Sequence, residues 1–196
     1  MANLLNDTPG TMMFKLVLIG DGAVGKTSVR RKYLGKGFIS SHIATIGVDF
    51  AQKYVQVDGT TCRLVIWDLA GQTGFERVRR HYYQGCSALI LVYDITNRET
   101  FDNATRWLAE AFTHAGEIPP TVILGNKVDL RTSNDSSEFV LTEEGQAFAK
   151  MFTEKLRIPS IFYETSAKNG ENIQETFSHL TRMMIDENVK LKGKKK

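Results

Sequence analysis

The 196-residue sequence predicts an α/β domain: a mainly parallel six-stranded sheet with one antiparallel edge strand and helices on both faces. Three observations lead there. Asp58-Gly59 separates two runs of strand-forming residues, Val48 to Val57 and Thr60 to Trp67, and Asp-Gly between such runs marks a tight hairpin. Ala88 to Asp94 is a continuous apolar run, as a central strand covered on both faces requires. After the hairpin, strand and helix patterns alternate strictly, and parallel neighbours need such helical crossovers.

The elements follow in order. Phe14 to Ile19 is a short apolar run that leads through glycines into a helical pattern. The hairpin comes next, then the strand Ala88 to Asp94. Thr96 and Glu99 have capping-box spacing and open a helix through about Ala115. Pro119-Pro120 closes that connection, and Thr121 to Gly125 is another apolar strand. Arg131 to Ser137 is polar and reads as a loop. Thr142 is placed to cap a helix to about Leu156, and Ile161 to Glu164 is a last short strand. Asn172 with Glu175 caps a final helix toward Asn188. The expected organisation is a flexible N-terminus over 1–13, one folded domain over 14–188 and a basic disordered tail over 189–196, which suits a chain of this length.

Composition excludes several classes. With 42% hydrophobic and 24% charged residues the chain is neither fibrous nor mainly disordered. The net charge of +3 is local: Lys190 to Lys196 hold five lysines and no acid, and the rest carries 20 basic against 22 acidic side chains. The domain is therefore mildly acidic, which argues against a nucleic-acid footprint. No apolar run approaches the ~20 residues of a membrane-spanning helix. The N-terminus lacks a signal-peptide pattern, Ala2 excludes myristoylation, and the end carries no prenylatable cysteine. Cys62 and Cys86 read as reduced thiols, and the four histidines show no zinc-site spacing.

Gly20-Asp21-Gly22-Ala23-Val24-Gly25-Lys26-Thr27 matches G-x-x-x-x-G-K-[ST], directly after a predicted strand and at the start of a helix with Ser28. Its glycines let backbone N–H groups turn toward phosphate oxygens, and the helix N-terminus adds positive partial charge. Lys26 suits the outer phosphates and the Thr27 hydroxyl suits Mg²⁺. A Gly-rich turn with a surface lysine is the alternative, and the strand–loop–helix context disfavours it. The motif implies a nucleoside triphosphate with Mg²⁺ and leaves kinase and hydrolase both open.

Asn126-Lys127-Val128-Asp129 follows the strand Thr121 to Gly125, and Ser166-Ala167-Lys168 follows the next. An Asp carboxylate only accepts hydrogen bonds, so Asp129 suits the paired N–H donors of guanine, which adenine lacks. These segments resemble the guanine-binding motifs of the Ras superfamily of small GTPases. The resemblance implies the P-loop small G-protein fold. It implies that Asn126 braces the loop, Lys127 packs along the base, the Ala167 N–H meets the guanine oxygen and Phe38 lies on the other side. Asp68-Leu69-Ala70-Gly71-Gln72 resembles the family's D-x-A-G-Q segment. Asp68 would then hold Mg²⁺ through water, the Gly71 N–H would sense the γ-phosphate and Gln72 would orient the attacking water. Thr45 would close over the γ-phosphate and Mg²⁺.

Ile46-Gly47-Val48-Asp49-Phe50, Leu64-Val65-Ile66-Trp67, Tyr82-Tyr83 and Leu91 to Thr96 look like segments of the Rab branch, and the resemblance covers about residues 14 to 188. It implies a GTP-hydrolysing switch of membrane trafficking or membrane-associated regulation, with Gln72, Lys26 and Thr45 at the reacting phosphate and a slow intrinsic rate. The implied partners are GTP and GDP, an exchange factor, an activating protein and effectors. Phe50, Trp67 and Tyr82 match an aromatic triad that Rabs present to effectors; packing into the core is the other reading of three such rings.

Departures from the Rab pattern concern regulation. Leu69 stands for the usual threonine, Thr73-Gly74 for a common Glu-Arg pair, and His42 where a tyrosine commonly covers the nucleotide. The segment Glu76 to His81 is unusually basic, and Arg77, Arg79 and Arg80 are expected on a solvated or partner-binding face. No arginine lies between Phe38 and Gly47, so an internal arginine finger is not expected in the first switch. The missing prenylation cysteine fits a shortened chain or a divergent, for example archaeal, relative with another anchor. A cytoplasmic monomer is expected. Lys190, Lys192, Lys194, Lys195 and Lys196 either solubilise the end or touch an anionic membrane at ~1 kcal/mol each. Two other functions compete. A small-metabolite kinase would need an acceptor lid that the short loops leave little room for, and a module without turnover is opposed by Thr45 and Gln72.

Overall fold

A computed structural model describes residues 10–39, 45, 47–71, 74, 76–116, 119–131 and 139–193. Six strands form one sheet: β1 (Met12–Ile19), β2 (Val48–Val57), β3 (Thr60–Leu69), β4 (Ala88–Asp94), β5 (Thr121–Asn126) and β6 (Ser160–Thr165). Their order is β2-β3-β1-β4-β5-β6. Only the β2–β3 hairpin is antiparallel, with Val57 opposite Thr60 across the Asp58-Gly59 turn; the other pairs are parallel.

The helices are α1 (Lys26–Tyr33), α2 (Glu76–Tyr83), α3 (Arg98–Asp102), α4 (Ala104–Ala115), α5 (Thr142–Lys155) and α6 (Ile173–Gly193). Alternation along β1 shows why both faces are covered. Leu16 and Leu18 join Val29, Tyr33, Phe177 and Leu180 beneath α1 and α6, where the Tyr33 and Phe177 rings stack at 3.7 Å. Val17 and Ile19 face Tyr83, Trp107, Leu108 and Phe152 beneath α2, α4 and α5. Every side chain of β4 is buried, as its unbroken apolar run predicts. Among the described residues no helix is long and apolar enough to cross a membrane. Cys62 and Cys86 are free thiols.

Several boundaries differ from the sequence expectation. β1 starts at Met12, two residues before Phe14, because Met12 and Met13 already pair with Cys62 and Arg63. Thr96 does not cap the helix expected through Ala115. Its hydroxyl donates to Asp94, and Asn97 accepts the Glu99 N–H instead. That helix is interrupted at Asn103, whose amide reaches Asp21 in the phosphate loop. Thr142 is the first residue of α5 rather than its cap, since Glu164 takes its hydroxyl while Glu144 accepts the Leu141 N–H. The final helix runs past Asn188 to Gly193, through good helix formers and a Glu187–Lys190 pair of i, i+3 spacing.

Candidate functional site: a phosphate loop, a metal corner and a base corner

Parallel strands place their carboxyl ends on one edge of the sheet, and the sequence motifs collect there. The loop from Gly20 to Gly25 joins β1 to α1, so the N-terminus of α1 faces into the loop. Gly25 has φ +101°, and a Cβ on it would lie 2.4 Å from the Asn126 amide. The close approach lets Asn126 act as a brace: its Nδ2 donates to the Val24 carbonyl at 2.9 Å, and its Oδ1 accepts from the Ala167 N–H at 3.1 Å. One side chain thus joins the phosphate loop to the end of β6.

Lys26 is 6% exposed, and its ammonium donates to the carbonyls of Gly20 and Asp21, each at 2.7 Å. Burial lowers its pKa to about 8; the carboxylates of Asp68 and Asp21 oppose that shift and the Arg79 charge adds to it. The Asp21 side chain turns outward, where its carboxylate accepts from Asn103 Nδ2 at 2.7 Å and Trp107 Nε1 at 2.6 Å. Asp21 therefore faces the site through its backbone, and its side chain anchors the loop to α4.

The metal corner is built from three segments. Thr27 Oγ1 donates to Asp68 Oδ2 at 2.6 Å and lies 2.9 Å from Thr45 Oγ1. Asp68 is 1% exposed, and its Oδ1 has no hydrogen-bond partner among the described residues. Burial pushes the Asp68 carboxyl up against the Thr27 hydrogen bond and the charges of Arg30 and Lys26. A buried carboxylate with an unpartnered oxygen beside two hydroxyls is the donor set a small hard dication takes, so these residues fit Mg²⁺. Arg30, which the motif reading passed over, is buried alongside; it pairs with Asp49 and lies 3.8 Å from Asp68. Gly71 packs onto the phosphate loop against Asp21 and Lys26. Gln72 and His42 lie outside the described residues.

At the base corner, Asp129 Oδ1 accepts the Ser166 hydroxyl at 2.6 Å, and the Lys168 ammonium lies 3.8 Å from Asp129 Oδ2. Lys127 sits at φ +74° with its ammonium paired to Asp94. Phe38 is exposed.

One expectation is overturned. Arg77 and Arg80 are exposed, but Arg79 is 2% exposed. Its Nε and Nη2 fork the Glu110 carboxylate at 2.7 and 2.6 Å, its Nη1 donates to the Ala70 carbonyl at 3.2 Å, and its guanidinium lies 4.5 Å from the Trp107 ring centre. Tyr83, one turn on, donates to the same carboxylate at 2.7 Å. The missed signal was a buried counter-charge on another helix: Trp107 and Glu110 are three residues apart on α4 and so share a face.

Burial pushes the Glu110 carboxyl up, but the hydrogen bonds from Arg79 and Tyr83 and the Arg79 charge outweigh it, leaving it below the ordinary value. A depressed carboxylate stabilises the fold above its unfolded pKa and loses that stabilisation as pH falls through the folded value. Glu110→Gln should therefore melt below the native chain by the widest margin at neutral pH, with the gap closing below pH ~4. A margin constant from pH 7 to 3, followed by thermal unfolding, would contradict this.

The loop, the metal corner and the braced base corner define a P-loop nucleotide-binding protein with a Mg²⁺ position. A family model described as Ras family matches residues 15–186. The Ras-related protein RABD2c of Arabidopsis thaliana is 42% identical over 169 residues, covering 86% of this chain and 79% of that protein. The GTP-binding protein YPTM2 of Zea mays is 41% identical over 174 residues, 89% of this chain and 81% of that protein. The chain belongs to the Ras family as a Rab-type small GTPase, a Mg²⁺-dependent switch of membrane trafficking that binds GTP and GDP and hydrolyses GTP.

Proposed function

We propose that switching runs through the phosphate loop and the two corners residue by residue. The backbone from Asp21 to Lys26, with Thr27 and Ser28, cradles the phosphates, and the Lys26 ammonium exchanges its two carbonyl partners for the outer phosphates. Asp129 accepts from the guanine edge, Ala167 donates to its oxygen, and Asn126, Ser166, Lys127 and Lys168 hold that corner; Phe38 covers the base. Thr27, Thr45 and Asp68 would hold the Mg²⁺, which would supply neutralisation of the charge that develops on the phosphates. The observation that carries this reading is the Thr45 hydroxyl against Thr27, which itself bonds Asp68. Thr45 thereby meets the metal corner, and Gly71 lies against Asp21 and Lys26 of the phosphate loop. Loss of the γ-phosphate would release both segments.

Gln72 orients the attacking water in this scheme. Gln72→Leu should slow single-turnover GTP hydrolysis by about 10²–10³-fold while GTP affinity stays within a few-fold. An unaltered rate would remove Gln72 from the reaction. With no arginine between Phe38 and Gly47, an activating protein that donates one should add roughly 10³–10⁵ in rate.

Effectors are proposed to read the triad. The Phe50 and Trp67 rings lie 5.0 Å apart, Trp67 and Tyr82 lie 4.9 Å apart, and Phe50 is 53% exposed. Phe50 stacks on Trp67 and Trp67 meets Tyr82 at a tilt, so the three rings brace one another while Phe50 faces water, and that combination of rigidity and apolar area suits a partner surface. The protein acts as a monomer, peripheral at the cytoplasmic face of a membrane. Lys190 on α6 and the following lysines, Lys192, Lys194, Lys195 and Lys196, supply attraction to anionic lipid. Residues 194–196 and the Lys192 side chain lie outside the described residues. Pelleting with phosphatidylserine vesicles, with and without residues 190–196, tests that contact.

A further inference from the structure

We propose that Arg79 is a positioning residue for the GTP-bound arrangement: by holding the Ala70 carbonyl it aims the Gly71 N–H of the same peptide unit at the phosphate loop. This rests on the role given to Gly71 above. In a planar trans peptide the C=O and the following N–H point in opposite directions, so fixing one fixes the other. The Arg79 Nη1 donates to the Ala70 oxygen in a buried setting. A hydrogen bond on the carbonyl also polarises the N–H across the unit and strengthens it as a donor.

The clamp is itself rigid. Two nitrogens of the guanidinium are spent on Glu110, and its plane rests on Trp107. Trp107 in turn donates to Asp21 in the phosphate loop. Arg79 therefore refers the Ala70–Gly71 peptide to the same helix that anchors the loop Gly71 must meet. The preceding peptide is held too, because the Ala70 N–H donates to the Gly47 carbonyl at 2.9 Å, after the segment that carries Thr45. The D-x-A-G stretch is thus fixed from both sides in the arrangement that puts Gly71 against Asp21 and Lys26. A group that stabilises this arrangement favours the nucleotide that selects it. A simple pin between α2 and α4 would use the Glu110 fork alone and would treat both nucleotides alike.

The test uses the full chain with Mg²⁺. Affinities for GDP and for a non-hydrolysable GTP analogue are measured in parallel, together with melting temperature, for Arg79→Gln, Arg79→Lys, Tyr83→Phe and Gly71→Ala. Arg79→Gln should lower the ratio of GTP-analogue to GDP affinity about tenfold, the worth of one buried charge-assisted hydrogen bond, with GDP affinity within about twofold. Arg79→Lys keeps the charge but not the fork, so it should lose most of the same preference and remain informative if the glutamine variant folds poorly. Tyr83→Phe removes the other bond to Glu110 and should lower the melting temperature with the ratio unchanged. Equal loss of both nucleotides in the Arg79 variants, or a ratio shift in Tyr83→Phe as large as theirs, would overturn the proposal. A shifted ratio in Gly71→Ala with an unshifted one in both Arg79 variants would overturn Arg79 alone. An unshifted ratio in Gly71→Ala would remove the Gly71 role and the proposal together.

Discussion

Asp129→Asn should convert the protein from a guanine to a xanthine nucleotide binder. The Asp129 carboxylate is nearly buried, with one oxygen on the Ser166 hydroxyl and the other near the Lys168 ammonium. A carboxylate held this way can only accept, which matches two adjacent donors on guanine. The amide of Asn presents an N–H₂ group toward one of those donors, so one favourable pair is lost and two donors are forced together. Two charge-assisted hydrogen bonds are worth ~1.5–3 kcal/mol each, so GTP affinity should fall by roughly 10²–10⁴-fold. Xanthine carries a carbonyl where guanine carries its amino group, and the Asn donor then finds an acceptor. Competition between guanine and xanthine nucleotides for the purified variant measures the exchange; an unchanged preference would take Asp129 out of the base site. The Asn126 brace is independent of the substituted group, so the fold around the site should remain.

Gly71→Ala should uncouple GTP binding from closure of the D-x-A-G segment. A Cβ at Gly71 would sit 2.4 Å from the Asp21 carbonyl carbon, 2.5 Å from its oxygen and 2.5 Å from the Lys26 ammonium. A flexible side-chain end could move aside, but the Asp21 backbone cannot, because Asn103 and Trp107 hold its side chain. The methyl group must therefore lift Gly71 off the loop. Displacing a positioned donor by about 1 Å costs ~10² in rate, so hydrolysis should fall at least that far while GDP binding, which does not need the closed segment, persists. Single-turnover hydrolysis with GDP affinity measured alongside distinguishes this from general damage. A normal hydrolysis rate would show that Gly71 does not approach the phosphates.

Much of this is legible in the sequence. The hairpin at Asp58-Gly59, the buried run of β4 and the motifs at strand ends are local patterns, and local chemistry determines them: a turn needs particular residues, a doubly covered strand needs apolar ones, and a phosphate cradle needs glycines before a helix. What was misread involved competition between distant partners. Thr96 and Thr142 had the right type and spacing for caps, but Asp94 and Glu164 offered their hydroxyls stronger acceptors. Asp21 looked like one more loop residue, and its side chain proved to be the loop's tie to α4.

By itself the sequence determined the strand–helix order, the phosphate loop, the base motif and the local nature of the positive charge, because each is written in consecutive residues. Only the tertiary structure decided what Arg79 does. Three arginines within four residues of α2 look alike in sequence, and only the one whose face meets Glu110 and Trp107 gains a counter-charge, an aromatic plane and the Ala70 carbonyl. Burying a guanidinium costs free energy unless its donors are met, and where they are met depends on packing between elements far apart in the chain.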